Sequence, residues 1–434
     1  MGNSVSNTVK GATPDLDLQQ PQPWVGPAGT SLNCGISYEP LRERQSIRLL
    51  KLHLPCDPDN PEIECTLTEH FMPDCQNKYV ALSYTWGDST ARKQIKVNGR
   101  PAFITENLYE ALTHILSLDG DLASLLESHD LWVDALCINQ QDAAEKSVQV
   151  ANMLDVFSNA DWVVAWMGPS ADGSDELLQG MRKAVTVDTP ESDLVLDLSP
   201  QALKAFLDRG WWNRMWILQE FMMSRKIWFL CGQSSVDADV LTITAHRWLL
   251  YLSQAPNVDV EPELRDLLTV RMTLMIGRDI LSWKGMSFPM IYWIDIAKEA
   301  QCTDPRDKIF ALLGLMWAGE KEDLICDYNA SPCEVFSSAI RVMALHYEEE
   351  ITTKVVKMVN AWKLDDHRGG SKLQEHDPLE PHVPARQTCD GIACSSQFLC
   401  ISIPEHVQMS GRELLRNIIN EGLAKKQSAS SGGS

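Results

Sequence analysis

The sequence lacks the features that define several large functional classes. No apolar run approaches the about 20 residues that a membrane-spanning helix needs. Clusters of lysine and arginine are missing as well, and 59 acidic against 38 basic side chains give a formal net charge of −21. Such a surface repels nucleic acid and anionic lipid, since binding to either requires clustered positive charge. We therefore predict no nucleic-acid partner.

The cysteines and glycines also lack the usual arrangements of ligand sites. The twelve cysteines include no CxxC pair of the kind that holds structural zinc. No glycine-rich phosphate loop is present, so hydrolysis of ATP or GTP is not expected. We predict no metal, and one C-terminal group stays open as an alternative metal site: Cys389, Cys394, Cys400, His376 and His382.

The first 35 residues are polar and rich in glycine, proline and glutamine, which predicts a disordered segment without a secretory signal. We therefore expect a cytoplasmic protein. The start, Met1 to Ser6, fits the N-myristoylation pattern with Gly2 as the acceptor. The alternative is a flexible start made of small residues. Because one myristoyl chain binds membranes only marginally, contact through Gly2 would be at most peripheral.

Beyond residue 35, short apolar runs alternate with helical patterns. This alternation predicts an α/β domain over residues 36–240, with a mainly parallel sheet covered by helices. Asn98-Gly99 suits a type I′ turn and predicts a hairpin, and we expect Asn107 to cap the next helix. The predicted strands are Ile47–Leu52, Tyr79–Tyr84, Ile95–Val97, Ala102–Ile104, Leu131–Leu136, Trp162–Met167 and Ile227–Leu230.

Helical patterns dominate the rest of the chain. Ser199-Pro200 is typical of a helix start, and a further helix is expected over Asn213–Met223. Residues 241–364 form a mostly helical region in this interpretation. We expect residues 240–434 to restrain the preceding domain, and the alternative is that they sense a signal. Residues 365–434 are predicted to form a linker and a C-terminal amphipathic helix with a flexible tail.

Three segments of unusual composition follow one another along the chain. They are YVALSYTWGD (Tyr79 to Asp88), LWVDALCINQQD (Leu131 to Asp142) and RGWWNRMWILQE (Arg209 to Glu220). In this order they closely resemble the fungal heterokaryon-incompatibility (HET) domain. The later segments DPRDKIFALLGL and CDYNASPCEVF resemble a helical region that often follows HET domains.

This resemblance implies an effector that promotes programmed cell death in a non-self or stress response. It implies self-association and a protein partner in death signalling, and no cofactor. HET domains are distantly similar to Toll/interleukin-1-receptor (TIR) domains, which implies a TIR/flavodoxin-like fold, and some TIR domains cleave NAD. The domain is therefore either an NAD glycohydrolase, with NAD as its substrate, or a non-catalytic module that acts through self-association and partner recruitment.

Glu220 is the candidate catalytic residue, because NAD-cleaving TIR domains carry a Glu on a helix just after a Trp-containing segment. The segment from Trp216 to Glu220 has that form, and the spacing lets both share one helix face. Cleavage of the nicotinamide–ribose bond passes through an oxocarbenium-like state that a carboxylate stabilises. The alternative is a surface ion pair of Glu220 with Arg214 or Arg225.

Candidate substrate-binding residues lie where the predicted strands end, since ligands of open α/β sheets collect beyond the carboxyl ends of the strands. Asp134 interrupts an apolar strand, which is costly unless it is paired or faces a ligand. Trp86 can stack on a flat ring, and Arg214 can bind phosphate or pair with Asp134. The full set is Ser83, Tyr84, Trp86, Gly87, Asp88, Asp134, Arg214 and Trp216. The alternative is a tightly packed structural loop.

Cys137 lies in the second motif, and none of the three motifs contains a histidine that would serve as its base. We therefore predict a buried structural cysteine rather than a nucleophile.

Overall fold

The computed structural model describes residues 35–53, 62–118, 120–186, 198–254, 261–284 and 288–347. The predictions for Gly2, for residues 1–34, for the C-terminal cysteines and histidines and for residues 365–434 lie outside these ranges. The proposed domain boundaries stay a prediction.

A nine-stranded mixed sheet forms the centre of the protein, in the order β5-β4-β2-β1-β6-β3-β7-β8-β9. The strands are β1 (Ser46–His53), β2 (Glu64–Phe71), β3 (Tyr79–Tyr84), β4 (Arg92–Val97), β5 (Arg100–Thr105), β6 (Asp130–Trp132), β7 (Trp162–Trp166), β8 (Ile227–Cys231) and β9 (Ser234–Asp237). The predicted α/β class with flanking helices is confirmed.

The central strands β6, β3, β7 and β8 are parallel, whereas antiparallel pairs dominate on both sides of them. Taken in chain order, these four occupy the spatial order second, first, third, fourth, which is the start of the flavodoxin-like order. All six residues of β3 are buried, as a central parallel strand covered on both faces requires.

The predicted hairpin is confirmed. Strands β4 and β5 pair in antiparallel register with Val97 opposite Arg100. Asn98 and Gly99 between them have φ values of 52° and 74°, as a type I′ turn requires.

Fourteen α-helices are found in the described residues. They are α1 (Glu106–Leu116), α2 (Asp121–Ser128), α3 (Asp134–Cys137), α4 (Ala143–Ala151), α5 (Met153–Asn159), α6 (Ser174–Thr186), α7 (Pro200–Leu207), α8 (Ile217–Met222), α9 (Ala238–Gln254), α10 (Pro262–Lys284), α11 (Met290–Ile296), α12 (Asp307–Phe310), α13 (Ala318–Glu322) and α14 (Pro332–His346). None of them is long and apolar enough to cross a membrane.

Three local predictions were wrong. The strand predicted over Leu131–Leu136 ends at Trp132, and Asp134 instead begins the one-turn helix α3. Thr105, not Asn107, caps α1, because its hydroxyl accepts the N–H of Leu108. The helix predicted over Asn213–Met223 is shorter, since a 3-10 turn at Gly210–Asn213 and extended backbone at Arg214 precede α8.

An aromatic cluster anchors the third motif to the sheet. Trp212 stacks on Phe229 of β8 with ring centroids 5.3 Å apart, while Trp211 and Phe221 meet the same ring at steeper angles. Buried aromatic pairs stabilise by about 0.5–1.5 kcal/mol beyond their area. The cluster therefore fixes the segment before α8 against the centre of the sheet.

Candidate functional site

The carboxyl end of β3 is where several predicted site residues meet. Ser83, the next-to-last residue of this strand, is 1% exposed. Its hydroxyl donates to Glu220 Oε2 and accepts the indole N–H of Trp211 at 2.7 Å. A hydroxyl has one proton to donate and lone pairs to accept, so Ser83 joins the strand end to both ends of the third motif.

Arg214 and Glu220 form a two-pronged ion pair beside Ser83. The distances are 2.7 Å from Nη1 to Oε2 and 2.9 Å from Nη2 to Oε1, and the side chains are 14% and 3% exposed. The pair is thus buried, unlike the surface pair considered from the sequence. Burial acts to lower the pKa of Arg214, but attraction and hydrogen bonding to Glu220 outweigh it and the pKa is raised.

Ser83, Trp211, Arg214 and Glu220 are called the Ser83 cluster below. Both carboxylate oxygens of Glu220 accept hydrogen bonds within it. Removing one partner of such a buried pair leaves an uncompensated charge and is strongly destabilising. The cluster is therefore a rigid arrangement whose members depend on one another.

Asp134 supplies a second carboxylate near Arg214. Oδ2 accepts the indole N–H of Trp86 at 2.7 Å, and Oδ1 accepts the backbone N–H of Ala135 at the same distance. Burial raises the pKa of Asp134, and the charge of Arg214 acts in the opposite direction. Burial and the neighbouring Asp134 raise the pKa of Tyr84 far above its usual range. Asp134, Tyr84 and Trp86 thus border the Ser83 cluster.

The loop after β3 places its next two predicted residues at the surface. Gly87 and Asp88 are exposed, and Gly87 has a φ of 72°. Asp88 Oδ1 accepts the backbone N–H of Thr90 at 2.8 Å and its hydroxyl at 2.7 Å. These hydrogen bonds lower the pKa of Asp88. In this structure Asp88 shapes its own loop.

Asn107, which the sequence predicted only as a helix cap, borders the site. Its amide N–H donates to the carbonyl of Thr85, and its oxygen accepts the indole N–H of Trp166 at 3.0 Å. Asn107 therefore links the loop after β3 to the end of β7. Trp211 was not predicted as a site residue, because nothing in the sequence shows which ring of the Trp211-Trp212 pair faces Ser83.

The indole of Trp216 bonds to a residue outside the Ser83 cluster. Its indole N–H donates to Asp307 Oδ2 at 3.0 Å, and its carbonyl accepts the N–H of Glu220 at 3.1 Å. The predicted sharing of one helix face with Glu220 therefore gives the two side chains no common partner among the described contacts.

The side chains of Cys137 and Arg209 contact backbone groups and stabilise the fold. The Cys137 thiol is fully buried and accepts the N–H of Val133 at 3.3 Å, and burial raises its pKa to about 12. Such a thiol does not form the thiolate that a nucleophile needs. Arg209 donates to three backbone carbonyls of the loop after β7, those of Met167, Pro169 and Ala171.

Within the described ranges, no group of three or more His, Cys, Asp or Glu side chains is arranged to hold a metal ion. The site offers one guanidinium, two carboxylates and a half-buried indole. It lies at the carboxyl ends of β3, β6 and β7, where the strand order reverses and flavodoxin-like folds bind their ligands. These groups suit a polar ligand with hydroxyl or phosphate groups and a flat ring.

Comparison with known proteins shows what this region is similar to. Residues 79–220 match a family model described as heterokaryon incompatibility protein (HET). The chain is also 27% identical over 354 residues to heterokaryon incompatibility protein 6, OR allele, of Neurospora crassa, covering 68% of this chain and 51% of that protein. The chain thus spans about half the length of this curated relative. No solved structure matches.

Proposed function

We propose that this chain, whose residues 79–220 match the HET family, is an effector in heterokaryon incompatibility that promotes programmed cell death in a non-self or stress response. The family description and the printed name of the Neurospora relative support the incompatibility role. Because the chain spans only half of that relative, the activity and partners of the whole protein belong to the proposal. We propose a cytoplasmic location, with peripheral membrane contact through a myristoylated Gly2.

The proposed chemistry is cleavage of NAD at the nicotinamide–ribose bond, as in some TIR domains. The observation that carries it is the buried Arg214–Glu220 pair beside Asp134, at the strand ends where this strand order binds ligands. Buried charges with perturbed pKa values cluster at functional sites, because burying them otherwise has a free-energy cost. The flavodoxin-like order of the four central strands is also what a TIR-like domain requires.

In the proposed reaction, water attacks the ribose C1′ carbon as the C–N bond to nicotinamide breaks. Nicotinamide leaves with the bonding electron pair, and the products are ADP-ribose, nicotinamide and one proton. A carboxylate near the ribose stabilises the oxocarbenium-like state. Since both oxygens of Glu220 are bonded in this structure, ribose hydroxyls would displace Ser83 or Arg214 from one of them, and the freed guanidinium would then face the diphosphate.

The test is to incubate the full-length protein at high concentration with NAD and measure nicotinamide release. Glu220→Gln keeps the side-chain shape, and we expect it to reduce the rate by at least about 100-fold, the scale of losing one positioned catalytic group. Glu320→Gln is the matched control, because Glu320 is also buried but bonds to Tyr347 and Met290, away from the site. The same rate in Glu220→Gln and Glu320→Gln would refute the catalytic role.

A non-catalytic interaction module is the second candidate, and it has its own observation. Glu220 is 3% exposed with both oxygens bonded, as expected of a structural residue. Ile325 and Leu345, at 80% and 55% exposure, are apolar side chains available for contact with a second copy or a protein partner. For a Glu220→Gln variant that folds and self-associates as the wild type does, this candidate predicts that killing survives. Killing is lost, together with self-association, in Ile325→Glu.

A further inference from the structure

The chain downstream of the matched domain hydrogen-bonds to the segment that carries the site. Residues 211–220 are called the site segment. The N–H of Gln301 donates to the carbonyl of Asn213 at 2.6 Å, and its carbonyl accepts the N–H of Met215 at 2.7 Å. These two bonds form a parallel β-bridge opposite Arg214. The backbone on either side of Arg214 is therefore held by a residue about 80 positions beyond the family match.

Two side chains of the site segment reach the same downstream region. Gln219 donates its amide N–H to the carbonyl of Ala311 at 3.0 Å. Trp216 donates to Asp307, whose other oxygen accepts the hydroxyl of Tyr328 at 2.5 Å. Trp216, Asp307 and Tyr328 are called the Asp307 cluster, and Asp307 is 9% exposed.

The site segment therefore bonds in two directions. Trp211, Arg214 and Glu220 bond to Ser83, which belongs to the central strand β3. Four other residues of the site segment bond to the downstream region through the contacts just described: Asn213, Met215, Trp216 and Gln219. A shift of the downstream region would be transmitted directly to Arg214 and Glu220.

The downstream region also contacts α4, the helix that follows the second motif. The N–H of Tyr328 donates to the hydroxyl of Ser147 on α4 at 2.9 Å, and the Lys146 ammonium lies 4.1 Å from the centre of the Tyr328 ring. Arg306 fixes Tyr328 by donating to its carbonyl at 2.5 Å. Asp307 thus lies between two segments of the matched domain.

We propose that residues 300–330 complete the functional site and that Asp307 is a positioning residue, which fixes Trp216 and so directs Arg214 and Glu220 toward Ser83. The downstream region then supports the site, in contrast to the restraining role expected from the sequence. The extent of similarity to the Neurospora relative agrees with this, since it covers 68% of this chain, whereas residues 79–220 make up about a third of it. The positioning of the site segment by Asp307 is independent of the proposed function, and only its effect on killing rests on that function.

The chemistry of Asp307 decides which variant is informative. In Asp307→Asn the amide oxygen can still accept the Trp216 indole N–H while the Tyr328 hydroxyl turns to accept the amide N–H. Asp307→Leu keeps the side-chain size and offers an acceptor to neither Trp216 nor Tyr328. Misplacing a catalytic constellation by about 1 Å is enough to reduce a rate about 100-fold.

The experiment uses the full-length protein at pH 7.5 and compares Asp307→Leu with Glu320→Gln. Hydrogen exchange is followed in peptides over residues 213–223. The indole N–H resonance of Trp211, assigned with Trp211→Phe, is followed by NMR. We expect exchange in these peptides to rise about tenfold in Asp307→Leu, the scale of one lost hydrogen bond to a charged group. We also expect the Trp211 resonance to shift, because Trp211 contacts Ser83 and not Asp307. Glu320→Gln should change neither.

Unchanged exchange and an unchanged Trp211 resonance in Asp307→Leu would overturn the proposal. If Asp307→Leu raises exchange throughout the protein, Trp216→Phe gives the decision, because it removes only the indole donor. Loosening confined to residues 213–223 then supports positioning, and unchanged exchange there overturns it. A shifted Trp211 resonance with undiminished killing would instead count against the proposed role of the site in cell death.

Discussion

The two clusters on the site segment bury a carboxylate in different ways. In the Ser83 cluster, Glu220 faces the guanidinium of Arg214 and a hydroxyl. In the Asp307 cluster, the carboxylate accepts hydrogen bonds from two neutral groups, the Trp216 indole and the Tyr328 hydroxyl. Burial, followed by the negative charge of Asp304, raises the pKa of Asp307 to about 6.

The two clusters on this segment should therefore differ in how they contribute to stability and to its pH dependence. A buried ion pair strongly resists the loss of either member. Burial raises the pKa of Asp307, whose hydrogen-bond donors are neutral, to about 6, although the charge of Lys146 acts in the opposite direction. We infer that the Ser83 cluster contributes more to stability and that the Asp307 cluster contributes more to pH dependence.

The largest expected effect is that of Arg214→Met. It leaves Glu220 buried without its cation, which typically costs about 3–5 kcal/mol of unfolding free energy. Chemical denaturation measures the loss, with Arg225→Met as the control, because Arg225 is exposed and donates to Asn77. Equal losses in the two variants would contradict the inferred strength of the buried pair.

Ser83→Ala should have an intermediate effect. The indole N–H of Trp211 loses its acceptor, and an unsatisfied buried donor costs about 1–3 kcal/mol. Ser124→Ala, at an exposed position of α2, is the control for denaturation. A loss below about 0.5 kcal/mol, the scale of ordinary surface substitutions, would show that the cluster does not depend on its hydroxyl.

The pH dependence of Asp307 separates the two clusters. A carboxyl whose folded pKa is raised binds its proton more tightly in the folded state, so it stabilises the fold below its ordinary pKa and loses that contribution as pH rises through about 6. The unfolding free energy of the wild type should therefore fall relative to Asp307→Asn between pH 4 and pH 6. Denaturation curves at several pH values that stay parallel for the two proteins would refute this.

The smallest expected effect on stability is that of Asp88→Ala. Asp88 is exposed and bonds only within its loop in the contacts described, so the change should be within about 0.5 kcal/mol. If Asp88 contacts the substrate, nicotinamide release or killing will fall without a change in the denaturation midpoint. Unchanged function would remove Asp88 from the site.

Local patterns predicted those features that depend on neighbouring residues. Strand β3 begins at Tyr79 and ends at Tyr84 as predicted, and Asn98-Gly99 forms its turn. The capping of α7 by Ser199 was predicted equally well. In each case the evidence was an apolar run or a turn or cap residue, and these act over a few positions.

Predictions failed where the partner of a side chain lies far away in the chain. Asn107 is of a residue type that often caps helices, but its side chain bonds to the carbonyl of Thr85 and the indole of Trp166. Trp216 shares its helical spacing with Glu220, but its donor reaches Asp307, 91 positions later. No local pattern contains that information.

The sequence alone determined the α/β class, most strand positions, the resemblance of residues 79–220 to the HET family and the residue types available for a site, because motifs and periodicity are properties of consecutive residues. Only the tertiary structure decided which of those side chains meet. The packing of β3 against the site segment, and of residues 300–330 behind it, brings Ser83, Arg214 and Glu220 together and separates Trp216 from them. The physical reason is that a buried polar group must find a partner wherever folding places one.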